Sequence, residues 1–140
     1  MFRFQALVWA DVASHLIDMA LAYLLALPIG WDREAATQGG AGLRTFPIVA
    51  MASCGFILVG VGAFGEKSTE LSSVLYGLIV GIGFIGSGTI MKGDSEIRGN
   101  TTASSIWATG AIGASVGFAL YDIAAILSIT TFITLRLKRR

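Results

Sequence analysis

The sequence is poor in charge. Only 14% of its 140 residues are Asp, Glu, Lys or Arg, whereas a water-soluble domain usually has about 25%. The mean hydropathy is +0.74. So little charge does not cover the surface of a soluble domain of this size, which excludes an ordinary soluble enzyme or binding module. The length fits a single domain, residues 1–140.

Cysteine and histidine are also scarce, with one of each, Cys54 and His15. One cysteine forms no internal disulfide, and the two residues are too few for a His/Cys metal cluster. No nucleophile is accompanied by a histidine and an acid, so we predict that the protein is not an enzyme and holds no resident cofactor. The net charge of +1 produces no field that would attract nucleic acid.

Long uncharged segments are what the sequence has in abundance. Residues 45–65, 71–91 and 99–121 contain no charged side chain, and each is longer than the roughly 18 residues that suggest a membrane span. We therefore predict an all-α, polytopic transmembrane helix bundle. The five expected spans lie at about 12–31, 45–64, 71–91, 101–120 and 123–137. Because the fifth segment is short, four spans followed by an interfacial helix is the alternative.

The basic residues predict the orientation of these spans. With the N-terminus outside, the inner regions contain Arg33, Arg44, Lys92, Arg98, Arg136, Lys138, Arg139 and Arg140, and the outer regions contain Arg3 and Lys67. The opposite orientation would place most of the basic residues outside, against the positive-inside rule. The sequence thus predicts that the basic C-terminus lies in the cytoplasm.

Glycine is frequent, with 18 residues. Membrane helices associate by close contact at small residues, because lipid tails are as apolar as leucine. We predict helix packing at Ser73, Gly77, Gly81 and Gly88 in the third span and at Gly110, Gly113 and Gly117 in the fourth. These rows form either the packed centre of the bundle or a dimer contact. Residues 81–86 match the G-x-G-x-x-G dinucleotide pattern, but their place inside an apolar span favours a helix.

One carboxylate, Asp18, lies within a predicted span, with His15 three residues earlier on the same helix face. A charged group inside the bilayer is costly and is therefore a candidate for function. The pair forms either a proton-responsive site or a pair of polar residues near the outer interface, where water lowers the cost.

The first predicted inner loop is polar. Asp32 and Glu34 follow Trp31, a plausible interface anchor. Their carboxylates either hold a hydrated Mg²⁺, which prefers oxygen ligands, or form salt bridges with Arg33 and Arg44.

The second predicted inner loop leads into the fourth span. Asn100 or Thr101 is expected to cap that helix. The alternative is that the helix start, flanked by Arg98, binds an anion or a phosphate.

Four short segments carry a more specific pattern. In chain order they are residues 24–34 (LLALPIGWDRE), 42–45 (GLRT), 81–90 (GIGFIGSGTI) and 98–113, which begins RGNTTA and ends WATGAIG. Together they resemble the MgtC/SapB family of membrane proteins. The likeness extends over roughly residues 16–137, and the four motifs occur in the family's order at similar spacing.

The resemblance implies a five-span bundle of the bacterial inner membrane with a cytoplasmic C-terminus. Members are linked to growth under magnesium limitation, to survival inside host phagocytes and hence virulence, and to restraint of the ATP synthase. Many carry a further cytoplasmic C-terminal domain, and we expect this chain to represent the membrane domain without it. Matching the motifs residue by residue implies a functional face made of Asp32, Arg33, Glu34, Gly42, Arg44, Thr45, Arg98, Thr101 and Thr102.

Two hypotheses follow. In the first, the protein is a regulator that binds partner proteins, or a second copy of itself, through its glycine-rich helix faces. In the second, it is a small oligomeric transporter of an ion or solute, with Asp18 or the inner carboxylates on the pathway. The single intramembrane charge and the lack of a clear internal repeat favour the regulator, because transporters usually pair two repeats around a midplane site.

Overall fold

The computed structural model describes residues 8–37, 40–93 and 96–137, and these fold into five helices and one small hairpin. The elements are α1 (Trp9–Ala36), α2 (Thr45–Phe64), α3 (Thr69–Ser87), β1 (Met91–Lys92), β2 (Ile97–Arg98), α4 (Asn100–Gly117) and α5 (Tyr121–Arg136). The strands β1 and β2 pair antiparallel, with Met91 opposite Arg98. The prediction of an all-α fold with five helical segments is confirmed.

The helix boundaries differ from the predicted spans at α1, α3 and α4. α1 (Trp9–Ala36) extends beyond the predicted 12–31 at both ends. α3 ends at Ser87, before the predicted Met91, because the chain turns there into the hairpin. The expected cap of α4 at Asn100 or Thr101 is wrong: Gly99 is the N-cap, with φ +94°. A Cβ at this position would overlap the carbonyl of Thr89, so only glycine fits this left-handed turn. The G-x-G-x-x-G segment is helical throughout, as predicted.

α4 is the central helix, and it packs against α1, α2, α3 and α5. Its glycines allow the close approach: a Cβ at Gly113 would overlap the backbone of Ala50 in α2, and one at Gly117 would lie 2.7 Å from Cβ of Ile57. Around this seam lies the buried core, which includes Ala22, Ala26, Ile29, Phe46, Ala50, Cys54, Ile106, Ile112 and Val116.

The outside of the bundle is apolar. Large side chains such as Leu16, Val59 and Phe84 are mostly exposed, an arrangement that suits lipid rather than water. Within the described residues, α1, α2 and α3 are each long and apolar enough to cross a membrane. α4 and α5 do not meet that criterion, because α4 is rich in Ser and Thr and α5 has only 16 residues. The chain is a membrane protein.

Successive helices are joined by short connections and pack as neighbours, so they run in alternating directions. α1, α3 and α5 end at one end of the bundle, where α2 and α4 begin. We name it the Asp32 end, because Asp32 lies there in the last turns of α1. The opposite end, where α1 and α5 begin near Asp18 and Tyr121, is named the Asp18 end.

Candidate functional site

The Asp32 end gathers the polar residues that the sequence motifs single out. The stripe Ala22, Ala26, Ile29 and Arg33 follows the 3.6-residue period of α1 and faces the core. Asp32 and Arg33 extend this buried surface into the last turns of the helix. A basic residue in the last turn also suits the negative end of the helix dipole.

Asp32 is a buried carboxylate with two ion-pair partners. Its side chain is 0% exposed. The Arg33 guanidinium donates to Oδ2 at 2.7 Å, and Nε of Arg136 in α5 lies 3.3 Å from Oδ1. Arg136 also stacks over the Phe132 ring, with Cζ 5.2 Å from the centroid. A buried carboxylate needs such partners, because its desolvation costs several kcal/mol. The cluster therefore ties the ends of α1 and α5 together.

Glu34 performs a different task at the same end. Its Oε2 accepts the backbone N–H of Leu43 at 3.0 Å, just before α2 begins. Gly42 leaves room for this contact, because a Cβ there would overlap the Glu34 carboxylate. The motif residues Glu34 and Gly42 thus close the connection between α1 and α2.

The other residues of the predicted face share this end of the bundle without joining the Asp32 cluster. Arg44 and Thr101 are exposed, Thr45 is half-buried and Thr102 is buried. Arg98 is exposed and pairs with Glu96, its Nε and Nη2 each lying 3.0 Å from Oε2. Of the predicted salt bridges, the one between Asp32 and Arg33 is present, and Arg44 makes none among the described residues.

No group of three His, Cys, Asp or Glu side chains placed to hold a metal ion occurs in residues 8–37, 40–93 and 96–137. Asp32 faces two guanidinium groups, and Glu34 is occupied by a backbone N–H. Positive charge beside a carboxylate opposes cation binding. A magnesium site at these two residues stays a prediction that this geometry disfavours.

At the opposite end, Asp18 is linked to α5. The Tyr121 hydroxyl donates to Oδ1 of Asp18 at 2.9 Å. His15 is exposed and has no hydrogen bond to any other described residue. The structure therefore gives Asp18 a partner that the sequence did not suggest, and the predicted pair with His15 is not brought together by a contact.

The two glycine rows have different surroundings. Gly110, Gly113 and Gly117 of α4 lie against Ile82, Ala50 and Ile57. On α3, by contrast, an added Cβ at Gly77 or Gly81 would meet nothing within 4 Å. Ser73 is exposed, as is Gly88, the residue that follows the helix. In this structure the row of α4 is packed against neighbouring helices, whereas the row of α3 is open.

The open row of α3 borders an apolar groove between α2 and α3. The groove has a volume of about 450 Å³ and is lined by residues that include Ala52, Phe56, Gly77, Gly81 and Ile85. We name this surface, comprising Ser73, Gly77, Gly81 and the adjoining groove, the α3 face. It is large, apolar and lined by small residues at its centre.

Sequence reasoning missed the residues of α5 that complete these contacts. Tyr121, Ser128 and Arg136 reach Asp18, the Leu25 carbonyl and Asp32 respectively. The only available signal was their position: they lie seven and eight residues apart, so they share one face of a helix. That face could not be assigned to a partner without knowing that α5 packs on α1.

Comparison with known proteins gives several clear similarities. The family model described as "MgtC family" matches residues 19–140. Protein SrpB of Synechococcus elongatus is 36% identical over 141 residues, which covers 91% of this chain and 74% of SrpB. YhiD of Escherichia coli K12, whose assigned name proposes magnesium transport, is 33% identical over 88% of this chain and 60% of YhiD.

Protein MgtC of Brucella abortus is 32% identical over 88% of this chain and 50% of its own length. The chain thus spans only half to three-fifths of MgtC and YhiD. No solved structure has a significant match to this chain.

Proposed function

Since the chain belongs to the MgtC family, we propose that it is a non-enzymatic regulator in the bacterial inner membrane that contributes to magnesium homeostasis. It acts by binding another membrane protein, or a second copy of itself, through the α3 face. The single observation that carries this proposal is the open environment of Gly77 and Gly81, on a helix that is long and apolar enough to span the bilayer. A role in virulence extends the proposal by family likeness.

The physical basis is the G-x-x-x-G spacing of Gly77 and Gly81. This spacing lets a second helix approach the backbone closely, so that van der Waals contacts replace those made with lipid. A glycine inside a helix costs about 1 kcal/mol relative to alanine. In α4 close packing offsets this cost, whereas at Gly77 and Gly81 no contact with the described residues does. A partner helix on the α3 face would supply the missing contacts.

We also propose that all five helices cross the membrane, with the N-terminus outside and the Asp32 end in the cytoplasm. α4 and α5 are too polar or too short to be assigned by apolarity alone. Support comes from packing, because α4 contacts each of the other helices and so lies at their depth. A reporter enzyme fused after Arg140 should be active only in the cytoplasm. Periplasmic activity would favour four spans.

The proposed function is tested by two matched substitutions on α3. Gly81→Leu fills the α3 face. Gly83→Leu adds the same side chain at another open position of the same helix, about 200° around the axis. Both proteins should fold, because neither new Cβ meets a neighbouring atom. Gly81→Leu should lose the co-purifying membrane partner or the dimer, and should fail to support growth at low magnesium.

Gly83→Leu should behave as the unaltered protein in both measurements. If Gly81→Leu keeps its partner and supports growth, the α3 face is not the binding surface and the proposal is wrong.

A second candidate function is transport by a small oligomer, which the assigned name of YhiD favours. Asp18, which lies within the first predicted span (residues 12–31), would then lie on the pathway. Reconstitution into proteoliposomes separates the two candidates. Magnesium uptake that disappears in Asp18→Asn would replace the regulator with the transporter. Absence of flux together with a stoichiometric partner supports the regulator.

A further inference from the structure

The side of α4 between α3 and α5 is open, and two grooves lie along it. The first lies between α4 and α5 at the Asp32 end and has a volume of about 250 Å³. Six of its lining residues carry hydroxyl groups: Thr101, Ser104, Ser105, Thr130, Thr131 and Thr134. We name it the hydroxyl groove. The second, also of about 250 Å³, lies between α3 and α4 towards the Asp18 end. We name it the apolar groove, because Ile79, Trp107 and Phe118 are among its lining residues.

The hydroxyl groove presents mainly hydrogen-bond acceptors. Ser104 and Ser105 donate to the carbonyls of Asn100 and Thr101 at 2.9 and 2.7 Å. On α5, Thr130 and Thr134 likewise donate to carbonyls four residues earlier, each at 2.7 Å. A hydroxyl has one proton and two lone pairs, so the protons of these four hydroxyls are already used in hydrogen bonds within their own helices. What remains on these four side chains is oxygen lone pairs, so a ligand that binds them must supply the donors.

The two grooves follow one another along the same side of α4, and we name them together the track. Ser104, Ala108, Ala111 and Ser115 follow one another along one stripe of α4. Ser104 and Ala108 line the hydroxyl groove, and Ala111 and Ser115 line the apolar groove. All four side chains are small. From Thr101 to Ser115 α4 rises by about 21 Å, which is close to half of the roughly 40–45 Å thickness of a bilayer including head groups.

We propose that this track binds one phospholipid of the leaflet on the Asp32 side, with a head group that donates hydrogen bonds in the hydroxyl groove and an acyl chain in the apolar groove. The inference rests on the five-span orientation proposed above, which places the hydroxyl groove at head-group depth. Along α4 a polar groove is followed by an apolar one, in the same order as the head group and acyl chain of a phospholipid. A partner helix suits the track less well, because its backbone N–H groups are already used within the helix.

The experiment compares two lipids that differ in donor capacity. Phosphatidylethanolamine has an ammonium group with three N–H donors, whereas phosphatidylcholine with the same acyl chains has none. The full chain, purified in detergent, is mixed with each lipid, and the retained lipid is measured by native mass spectrometry. We expect phosphatidylethanolamine to be retained about five- to tenfold more strongly. This is the effect of two hydrogen bonds that are each as strong as the average hydrogen bond between membrane helices.

Two variants locate the head group and the chain. Thr130→Val with Thr134→Val keeps the shape of the groove but removes two acceptors, so the preference between the lipids should disappear while phosphatidylcholine binding stays unchanged. Thr69→Val, at the exposed start of α3, is the matched control and should keep the preference. Ala111→Leu blocks the apolar groove and should reduce retention of both lipids. Ala52→Leu fills the groove between α2 and α3 and should leave retention unchanged.

Equal retention of the two lipids by the unaltered chain would overturn the inference. So would a preference that persists in the double threonine variant, or lipid loss in Ala52→Leu rather than Ala111→Leu. If Ala111→Leu does not fold, the threonine variants decide alone. The measurement uses the purified chain without a partner, so its failure leaves the Gly81→Leu test unaffected. Conversely, if no partner binds at the α3 face, the lipid measurement still tests the inference about the track.

Discussion

α3 and α5 both pack on α4 at the edge of the bundle, but they are held by different means. α5 is tied to α1 by polar contacts at three levels: Tyr121 to Asp18, Ser128 to the Leu25 carbonyl at 2.6 Å, and Arg136 to Asp32. α3 makes no side-chain hydrogen bond or ion pair to another helix within the described part of the chain. It is docked by apolar contacts alone.

Those apolar contacts depend on glycine. Ile82 of α3 packs against Gly110 of α4. Leu71 of α3 packs against Gly60 of α2, where an added Cβ would lie only 2.8 Å from Cδ1 of Leu71. Along the rest of α3 most residues face outward. The contrast teaches that α1, α2, α4 and α5 form a fixed frame, whereas α3 is the helix whose surface remains available. That division is why we place partner binding on α3.

The largest expected effect concerns Asp32, the carboxylate that pairs with Arg33 and with Arg136 of α5. Asp32→Asn leaves the Arg33 cation buried without its counter-charge, so we expect a loss of about 3–5 kcal/mol in the free energy of unfolding. SDS titration in mixed micelles, followed by tryptophan fluorescence, measures it. Glu96→Gln, which breaks the exposed pair with Arg98, is the control and should cost at most about 1 kcal/mol. Equal effects of the two substitutions would mean that the Asp32 cluster does not secure α5.

An intermediate effect is expected for the glycines of the frame. Gly113→Ala places a methyl group against the backbone of Ala50, which cannot move without separating α2 from α4. Overpacking of this kind costs about 1–3 kcal/mol. Gly77→Ala on α3 meets no neighbouring atom and should leave stability unchanged or slightly higher. The same titration compares them. A large loss in Gly77→Ala would show that α3 is packed more tightly than we describe.

The smallest effect is expected for a single hydrogen bond at the Asp18 end. Tyr121→Phe removes the donor to Asp18 but keeps the ring, and hydrogen bonds between membrane helices average about 0.6 kcal/mol. Tyr76→Phe, on the exposed side of α3, is the control with no interhelical bond to lose. A double-mutant cycle with Asp18→Asn isolates the pair. A coupling energy above about 2 kcal/mol would mean that the hydrogen bond between Tyr121 and Asp18 stabilises the packing of α5 more than we expect.

Much of the fold was accessible from the sequence, but only part of the candidate site was. Uncharged runs predicted five helical segments, and α2 occupies the predicted residues 45–64. The motif residues at the Asp32 end were identified, because helices in alternating directions bring loops of one side together. The partner of Asp32 in α5 was not identified, since Arg136 is 104 positions away. The start of α4 was misjudged because a left-handed glycine at Gly99 replaced the usual polar cap.

The sequence by itself determined which segments are helical, which environment they suit and which family the chain resembles, because these properties depend on local runs of apolar residues and on short motifs. Only the tertiary structure decided which glycines are used. Gly77 and Gly113 both lie in long uncharged segments, yet one is open and the other touches a neighbouring backbone. A helix face is identified by its period, but what covers it depends on how distant segments pack together.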